Sequence, residues 1–269
     1  MSDLAHRAPG PAPASRAVLA QTGMELRLLL RSSESLVVTL GIPLGILVFF
    51  SAVDVLPTGD QRPVEFLVPG VLAISVMSTA FVAIAIQTAF ERKYGVLKRL
   101  GATPLSRQAF LVSKALAVLV VLLVQTALVV LIARFGLGWE AGAAAQTDPA
   151  RTVGPQLWLV VAGMLLGAFA FTALGLAMAG ALRAEATLAL SNAVFLLLLL
   201  VSGVAVDLDE LPAALANAAL FTPSGALTAL LRDGLYPGDV ALWPLSLLVL
   251  LVWGVGATVL AARTFRWEP

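Results

Sequence analysis

The sequence contains no cysteine, a single histidine, His6, and only 33 charged residues among 269. The lack of cysteine excludes disulfides, thiol nucleophiles and thiolate metal sites, although it fixes no cellular compartment. Charged residues make up 12% of the chain, about half of the roughly 25% that is usual for a soluble domain. None of the three lysines follows the glycine-rich spacing of a phosphate-binding loop, so the chain has no such loop with which to hydrolyse ATP.

Hydrophobic residues, in contrast, account for 59% of the chain, and glycine raises the apolar share to about two thirds. About 20 apolar residues are needed for a helix to cross the hydrocarbon layer of a membrane. The apolar runs predict six spans, over residues 36–53, 64–90, 109–133, 156–182, 187–206 and 240–262. We therefore predict an all-α integral membrane fold, in which residues 35–269 form a six-helix transmembrane domain.

Residues 1–34 are predicted to form a cytosolic tail followed by a helix. Residues 1–14 are rich in proline and cannot hold a helix. From Ser15 to Glu34, apolar residues and arginines separate onto different sides at 100° per residue, which is typical of an amphipathic helix lying on the membrane surface. This helix is either a plain anchor or an elbow that also touches a cytosolic partner.

The basic residues indicate the orientation of the chain. If the N-terminus is cytosolic, thirteen of the seventeen lysines and arginines lie on the inner side, and ten of the sixteen carboxylates lie on the outer side. Cytosolic loops of membrane proteins carry such an excess of basic residues. Both termini are therefore predicted to be cytosolic.

Ionisable residues are scarce inside the predicted spans. Every Asp and Glu of the chain falls at the end of a span or in a loop. Ion-coupled transporters usually place such a group within the bilayer, so no ion-driven machinery is expected. Neutral polar groups inside the spans favour hydrogen bonding between helices. The outer cluster of Asp207, Asp209 and Glu210 reads as a solvated loop rather than a divalent-cation site. No catalytic, cofactor or metal site is predicted in this chain.

The densest basic patch lies between the second and third spans, from Glu91 to Lys114. Its first part predicts a short amphipathic helix along the cytosolic face. Gly101 permits a helix stop, and Pro104 can open the next helix. The wheel places charged residues opposite apolar ones, namely Glu91, Arg92, Lys98 and Arg99 against Tyr94, Val96, Leu97 and Leu100. The patch is either a topology signal alone or an element that receives force from a cytosolic partner.

This segment resembles the coupling segment of type-2 permeases of ATP-binding-cassette (ABC) exporters. The matching positions are Glu91, Arg92, Gly95, Leu97, Lys98, Arg99, Leu100, Thr103, Pro104, Arg107 and Lys114. A second stretch resembles the outer re-entrant helices of the same family, at Ser202, Gly203, Leu211, Pro212, Thr222, Pro223 and Arg232. The resemblance is closest to the bacterial drug-resistance subgroup, which includes daunorubicin-type exporters, while polysaccharide and lipid-linked glycan exporters share the architecture.

The resemblance implies a permease subunit of the bacterial cell membrane, paired with itself or with a related permease. A separately encoded ATPase would bind ATP and Mg²⁺ and dock on the coupling segment, including Gly101, while the permease moves a hydrophobic or amphiphilic cargo outward by alternating access. No nucleic-acid partner is expected. The first and fifth spans would line the path, through Thr39, Phe49, Asn192 and Phe195. A membrane scaffold that only recruits a cytosolic ATPase is the structural alternative, and an intramembrane lipid-modifying enzyme is disfavoured because no paired acidic motif lies in the spans.

Overall fold

The computed structural model describes residues 13–31, 37–53, 62–103, 106–141, 155–204, 212–236 and 242–264. Within these ranges every regular element is helical. The helices are α1 (Ala14–Arg31), α2 (Ile42–Ala52), α3 (Pro63–Lys93), α4 (Val96–Gly101), α5 (Arg107–Leu131), α6 (Leu157–Ala181), α7 (Ala184–Val201), α8 (Ala213–Leu220), α9 (Pro223–Leu235) and α10 (Trp243–Thr264). The predicted all-α fold is confirmed for the described residues. The predicted tail, residues 1–12, lies outside them.

Three short π-helical segments interrupt the regular helical geometry. They precede α2 (Val37–Gly41), lie within α3 (Met77–Ala83) and extend α5 (Ile132–Gly136). Each adds one residue to a helical turn and so rotates the side chains that follow it. The segment in α3 lies where that helix packs against α6.

Five of the described helices are long and apolar enough to cross a membrane, namely α3, α5, α6, α7 and α10. The pair α8 and α9, bent by 85°, would make a sixth by length and composition. Over the first predicted span, the described apolar helix covers only Thr39–Ala52, which is shorter than the roughly 20 residues of a full crossing. The chain is therefore a multi-pass membrane protein, and the count of six spans stays a prediction.

Two predicted spans end at different residues in the structure. Helix α3 continues to Lys93, so it contains Glu91 and Arg92. Helix α7 ends at Val201 rather than at residue 206, because the chain turns at Ser202 and Gly203, whose φ of 72° is a left-handed conformation that suits glycine. Both shifts follow from local chain reversals that hydropathy does not detect.

The core lies along α3 and α6, which pack against each other and against α9, while α6 also packs against α10. In its most apolar stretch α3 is 83% buried, whereas α7 is only 17% buried. Close approach of α3 and α6 depends on Gly175, where a Cβ atom would lie 2.8 Å from the backbone oxygen of Phe81. Helix α7 consequently presents most of its apolar surface outward from this chain.

Two small-residue motifs, Gly41-x-x-x-Gly45 and Gly163-x-x-x-Gly167, have different surroundings. Gly163 and Gly167 face leucines of α9, and a Cβ at Gly167 would lie 2.9 Å from a methyl carbon of Leu227. This motif therefore serves packing inside the chain. At Gly45, by contrast, a Cβ would meet nothing within 4 Å. The face of α2 that carries Gly45 has room for another helix.

The predicted re-entrant region is a pair of helices joined by a sharp bend. Pro212 precedes the first residue of α8, and Pro223 is the first residue of α9. The hydroxyl oxygen of Thr222 caps α9 by accepting a hydrogen bond from the Gly225 amide at 3.0 Å. Proline is tolerated at these positions because a first-turn amide lacks a helical partner. The bent geometry agrees with a re-entrant pair, and its placement on the outer side stays a prediction.

Candidate functional site

The basic patch folds into a helical hairpin, which consists of the end of α3, the short helix α4 and the start of α5. Helix α3 ends at Lys93, the chain turns at Tyr94 and Gly95, and α4 follows. Gly95 has a φ of 71°, which few residues with a side chain adopt. The predicted amphipathic helix is therefore shorter than expected, because Glu91 and Arg92 belong to α3 and only Val96–Gly101 forms α4. Pro104 lies outside the described residues.

Helix α4 presents a basic surface at the tip of the hairpin. Lys98 and Arg99 are exposed, and Tyr94 beside them is 66% exposed. Leu97 is fully buried and anchors the helix, while Leu100 is half-buried. Thr103 closes the end of α4 by donating its hydroxyl to the Leu100 carbonyl at 2.6 Å. The tip therefore offers two cations and an aromatic ring to a partner.

Arg92, although part of the same motif, points into the protein. Its guanidinium is buried and donates hydrogen bonds to the carbonyls of Gly180, at 2.6 Å, and of Leu182. These carbonyls lie at the C-terminal end of α6, where backbone oxygens have no helical partner. Arg92 thus ties the C-terminal end of α3 to that of α6 and is not part of the exposed surface of α4.

Glu91 also points inward, toward a buried lysine. The ammonium of Lys114 is 2.9 Å from one carboxylate oxygen of Glu91 and 3.1 Å from a carboxylate oxygen of Glu25 on α1. The amide of Gln87 donates to both carboxylates, at 2.6 Å to Glu25 and 2.8 Å to Glu91. Lys114 is 0% exposed. We call these four residues the Lys114 cluster.

This cluster is not predicted from the sequence, in which Lys114 is only a motif position and Glu25 has no assigned role. One signal was present, since Glu25 lies on the helical wheel of α1 beside Thr22, which is buried against α5 and donates its hydroxyl to the Ser113 carbonyl at 3.3 Å. A carboxylate on the buried side of a helix requires a partner, because an unpaired charge is costly in a desolvated interior.

A cavity of about 780 Å³ opens beside the hairpin. It lies between α1, α2, α3 and α7, and three of the four predicted path residues, Thr39, Asn192 and Phe195, line it. Phe49, the fourth, does not. It is 59% exposed on α2 and packs edge-on against Phe50, with ring centroids 5.2 Å apart. The structure thus brings the first and fifth predicted spans together around one space.

The cavity wall combines apolar side chains with a few neutral polar ones, including Ser78 and Gln87. At one end it reaches Glu91, Tyr94 and Val96, so it extends to the hairpin. Glu91 is the one formally charged side chain among the described residues that line it. A space of this size and lining can accommodate a largely apolar small molecule.

Neutral polar groups also connect the helices behind the cavity, as expected from the sequence. The amide of Gln125 on α5 donates to the Thr39 carbonyl at 2.6 Å, and its oxygen accepts from the Thr79 hydroxyl at 3.0 Å.

Among the described residues no group of three acidic or histidine side chains could hold a metal ion. Asp207, Asp209 and Glu210 lie outside the described residues.

A family comparison supports this architecture. The model of the ABC-2 type transporter family matches residues 16–236. The chain belongs to the ABC-2 type transporter family. It is accordingly the membrane permease component of an ABC transporter, a class that carries out transport rather than catalysis and normally works with an ATPase. The matched range runs from α1 to α9 and contains the hairpin, the cavity and the bent pair.

A search of curated protein sequences finds no match to this ABC-2 permease. The family match confirms the class that the motif indicated. It does not distinguish the drug-resistance subgroup from the glycan exporters, so the subgroup stays a prediction.

Proposed function

We propose that this ABC-2 permease exports a hydrophobic or amphiphilic compound, such as a drug, lipid or natural product, across a bacterial cell membrane. A separately encoded ATPase supplies the energy and holds ATP and Mg²⁺, and both termini of the permease lie in the cytosol. The single observation that carries the proposal is the cavity that runs from the predicted path residues to the hairpin. A continuous space gives a cytosolic motor direct access to the wall of a cargo site.

The proposed ATPase dock is the tip of the hairpin. Lys98 and Arg99 are exposed on α4, and Tyr94 lies beside them. Charged residues at the rim of an interface steer association and fix its register. Leu97 is buried beneath them, so a push on α4 is transmitted to the helices below. Glu91 and Arg92 contribute from inside the protein, by holding the legs of the hairpin.

The proposed cargo site is completed by a second permease. Helix α7 exposes Leu196, Leu197 and Leu200, and α2 exposes Ile42 and Phe49. Both helices border the cavity. A homodimeric or heterodimeric partner that covers these faces would enclose the space between the two copies. Alternating access would then change the exposure of the cavity to the cytosol and to the outside.

Reversing the charges of α4 tests the dock. The double variant Lys98→Glu, Arg99→Glu should insert normally but bind the ATPase at least about tenfold more weakly, because like charges now meet at the interface. Binding to the purified ATPase and ATP-driven transport into inverted vesicles measure the effect. The matched control is Arg27→Glu, Arg31→Glu, which reverses two exposed arginines of α1. Equal loss in both variants would show that binding follows the total cytosolic charge rather than α4.

Reconstitution of the permease with its ATPase in vesicles distinguishes an exporter from a scaffold. An exporter should couple ATP hydrolysis to transport of at least one member of a panel of lipophilic dyes. A scaffold would bind the ATPase without any dye-dependent change in hydrolysis. That second result would contradict the proposed function while leaving the membership of the family unchanged.

Phe195→Ala tests the cargo site. Removing this ring from the cavity wall should weaken dye stimulation of ATP hydrolysis by about tenfold or more, since a buried phenylalanine contributes roughly 1.5–3 kcal/mol of apolar contact. The half-saturating dye concentration is the measurement. Phe135→Ala is the matched control, because Phe135 is 82% exposed at the end of α5 and does not line the cavity. An equal effect at Phe135 and Phe195 would place the path elsewhere.

A further inference from the structure

The Lys114 cluster closes the base of the hairpin that carries α4. Glu91 lies near the end of α3, which precedes α4, and Lys114 is in the early part of α5, which follows α4. Their charged groups are 2.9 Å apart, so the ion pair joins the two legs on which α4 is mounted. Glu25 adds α1 to this joint, with its carboxylate 3.1 Å from the same ammonium. Three helices therefore meet at one buried cation.

Such a joint resists sliding more than an apolar contact does. Lys114 is fully buried and Glu25 nearly so, and separation of the groups would leave charges desolvated without a partner. Apolar contacts, by comparison, are non-directional, so they fix the relative position of two helices less strictly. The helices that share Lys114 are thus constrained to move together.

The cluster also touches the proposed cargo site. Gln87 and Glu91 line the cavity, and Gln87 donates to both carboxylates that hold Lys114. Leu28 and Leu29 of α1 line the same cavity. Any displacement of the joint would move parts of the cavity wall on α1 and α3 at the same time.

We propose that Lys114 is a positioning residue, which makes α1 and the α3–α4–α5 hairpin move as one unit, so that force received at α4 reaches the cavity wall. This inference rests on the proposed role of α4 as the ATPase dock. Lys114 does not touch the ATPase or the cargo in this arrangement. It acts through the two carboxylates that it pairs.

The movement itself can be measured without changing the cluster. The chain has no cysteine, so spin labels can be attached at Met24→Cys on α1 and Ala102→Cys after α4, both at exposed positions. In the complex with its ATPase, the distance between these labels should stay constant when nucleotide is trapped. A reference pair from Met24→Cys to Leu188→Cys on α7 reports whether the cavity walls move. A changed α1–α4 distance beside a changed reference distance would overturn the proposal.

Removal of the charge tests the function of the joint. Lys114→Met should still bind the ATPase and permit ATP hydrolysis, but dye transported per ATP should fall about tenfold, within the range of conformational coupling between sites. Lys114→Arg, which keeps the charge, should restore part of the transport. Lys93→Met is the matched control, because it breaks an exposed pair with Glu185 near the same end of α3. Wild-type transport per ATP in Lys114→Met would contradict the proposal.

A fully apolar variant separates positioning from simple stability. In Glu25→Met, Glu91→Met, Lys114→Met no buried charge is left unpaired, and replacement of a whole buried ion cluster by apolar residues is often neutral or stabilising. Thermal unfolding should therefore resemble that of the wild type, while transport per ATP stays low because the joint is gone. Recovery of both would assign the cluster to stability alone and overturn the proposal. If wild-type permease neither binds the ATPase nor transports any dye, the proposed function fails instead.

Discussion

Gly225→Ala should strongly destabilise the permease, although it adds only one methyl group. A Cβ atom at this position would lie 2.1 Å from the backbone oxygen of Ala219 and 2.7 Å from its carbonyl carbon. No change of side-chain rotamer relieves a clash with backbone, so the bend between α8 and α9 must open. We expect a loss of about 3 kcal/mol, at the upper end of the usual cost of overpacking. Thermal unfolding of the permease in detergent, followed by tryptophan fluorescence, measures it.

Gly256→Ala is the control for this prediction. It makes the same substitution within helix α10, where a Cβ would meet nothing within 4 Å. Alanine is favoured over glycine in a helix interior by up to about 1 kcal/mol, so stability should be unchanged or slightly higher. If the two variants unfold at the same temperature, α8 and α9 do not approach as closely as the structure shows.

Arg92→Met should also lower stability, by about 3 kcal/mol, since a hydrogen bond to a charged group contributes roughly 1.5–3 kcal/mol. The guanidinium donates to the Gly180 and Leu182 carbonyls at the end of α6. Methionine retains much of the apolar stem but leaves these buried oxygens without those donors. The C-terminal ends of α3 and α6 should then separate more readily. Chemical or thermal unfolding in detergent reports the loss.

Arg99→Met, in the same motif, should affect ATPase binding rather than stability. Arg99 is exposed on α4, so its removal should leave the unfolding temperature unchanged and weaken ATPase binding instead. Two arginines seven residues apart would thus be separated into a structural and a docking role. Stability loss at Arg99 with none at Arg92 would reverse the assignment.

Membership of the motif from Glu91 to Lys114 therefore does not define one role. A helical wheel groups Glu91, Arg92, Lys98 and Arg99 on one side of a single helix, and this grouping is wrong because the chain turns at Gly95. The turn changes the direction of the helix axis, which leaves Lys98 and Arg99 exposed while Arg92 is buried. A glycine can adopt positive φ but need not do so, and the sequence therefore does not predict this turn.

The predicted path residues are a second case in which the sequence identifies a helix but not the face that it turns to a site. Resemblance to the family places Thr39, Asn192 and Phe195 on the path, and the structure brings them to one cavity. The same resemblance predicts Phe49 on the path, but Phe49 lies on another face of α2. An assignment at the level of a whole helix cannot specify which face meets the space, because that face depends on the rotation of the helix against its neighbours.

Sequence alone determined the class of this protein and its all-α membrane architecture. Hydropathy and charge depend on composition over short windows, so they indicate a multi-pass membrane chain, and the spacing of the hairpin motif indicated an ABC-2 permease. The Lys114 cluster was decided only by the tertiary structure. Lys114 is 89 residues from Glu25 and 23 from Glu91, and such side chains meet only through the packing of α1, α3 and α5. Few charges are present in this chain, and packing determines which of them pair in its interior and which are left for a partner.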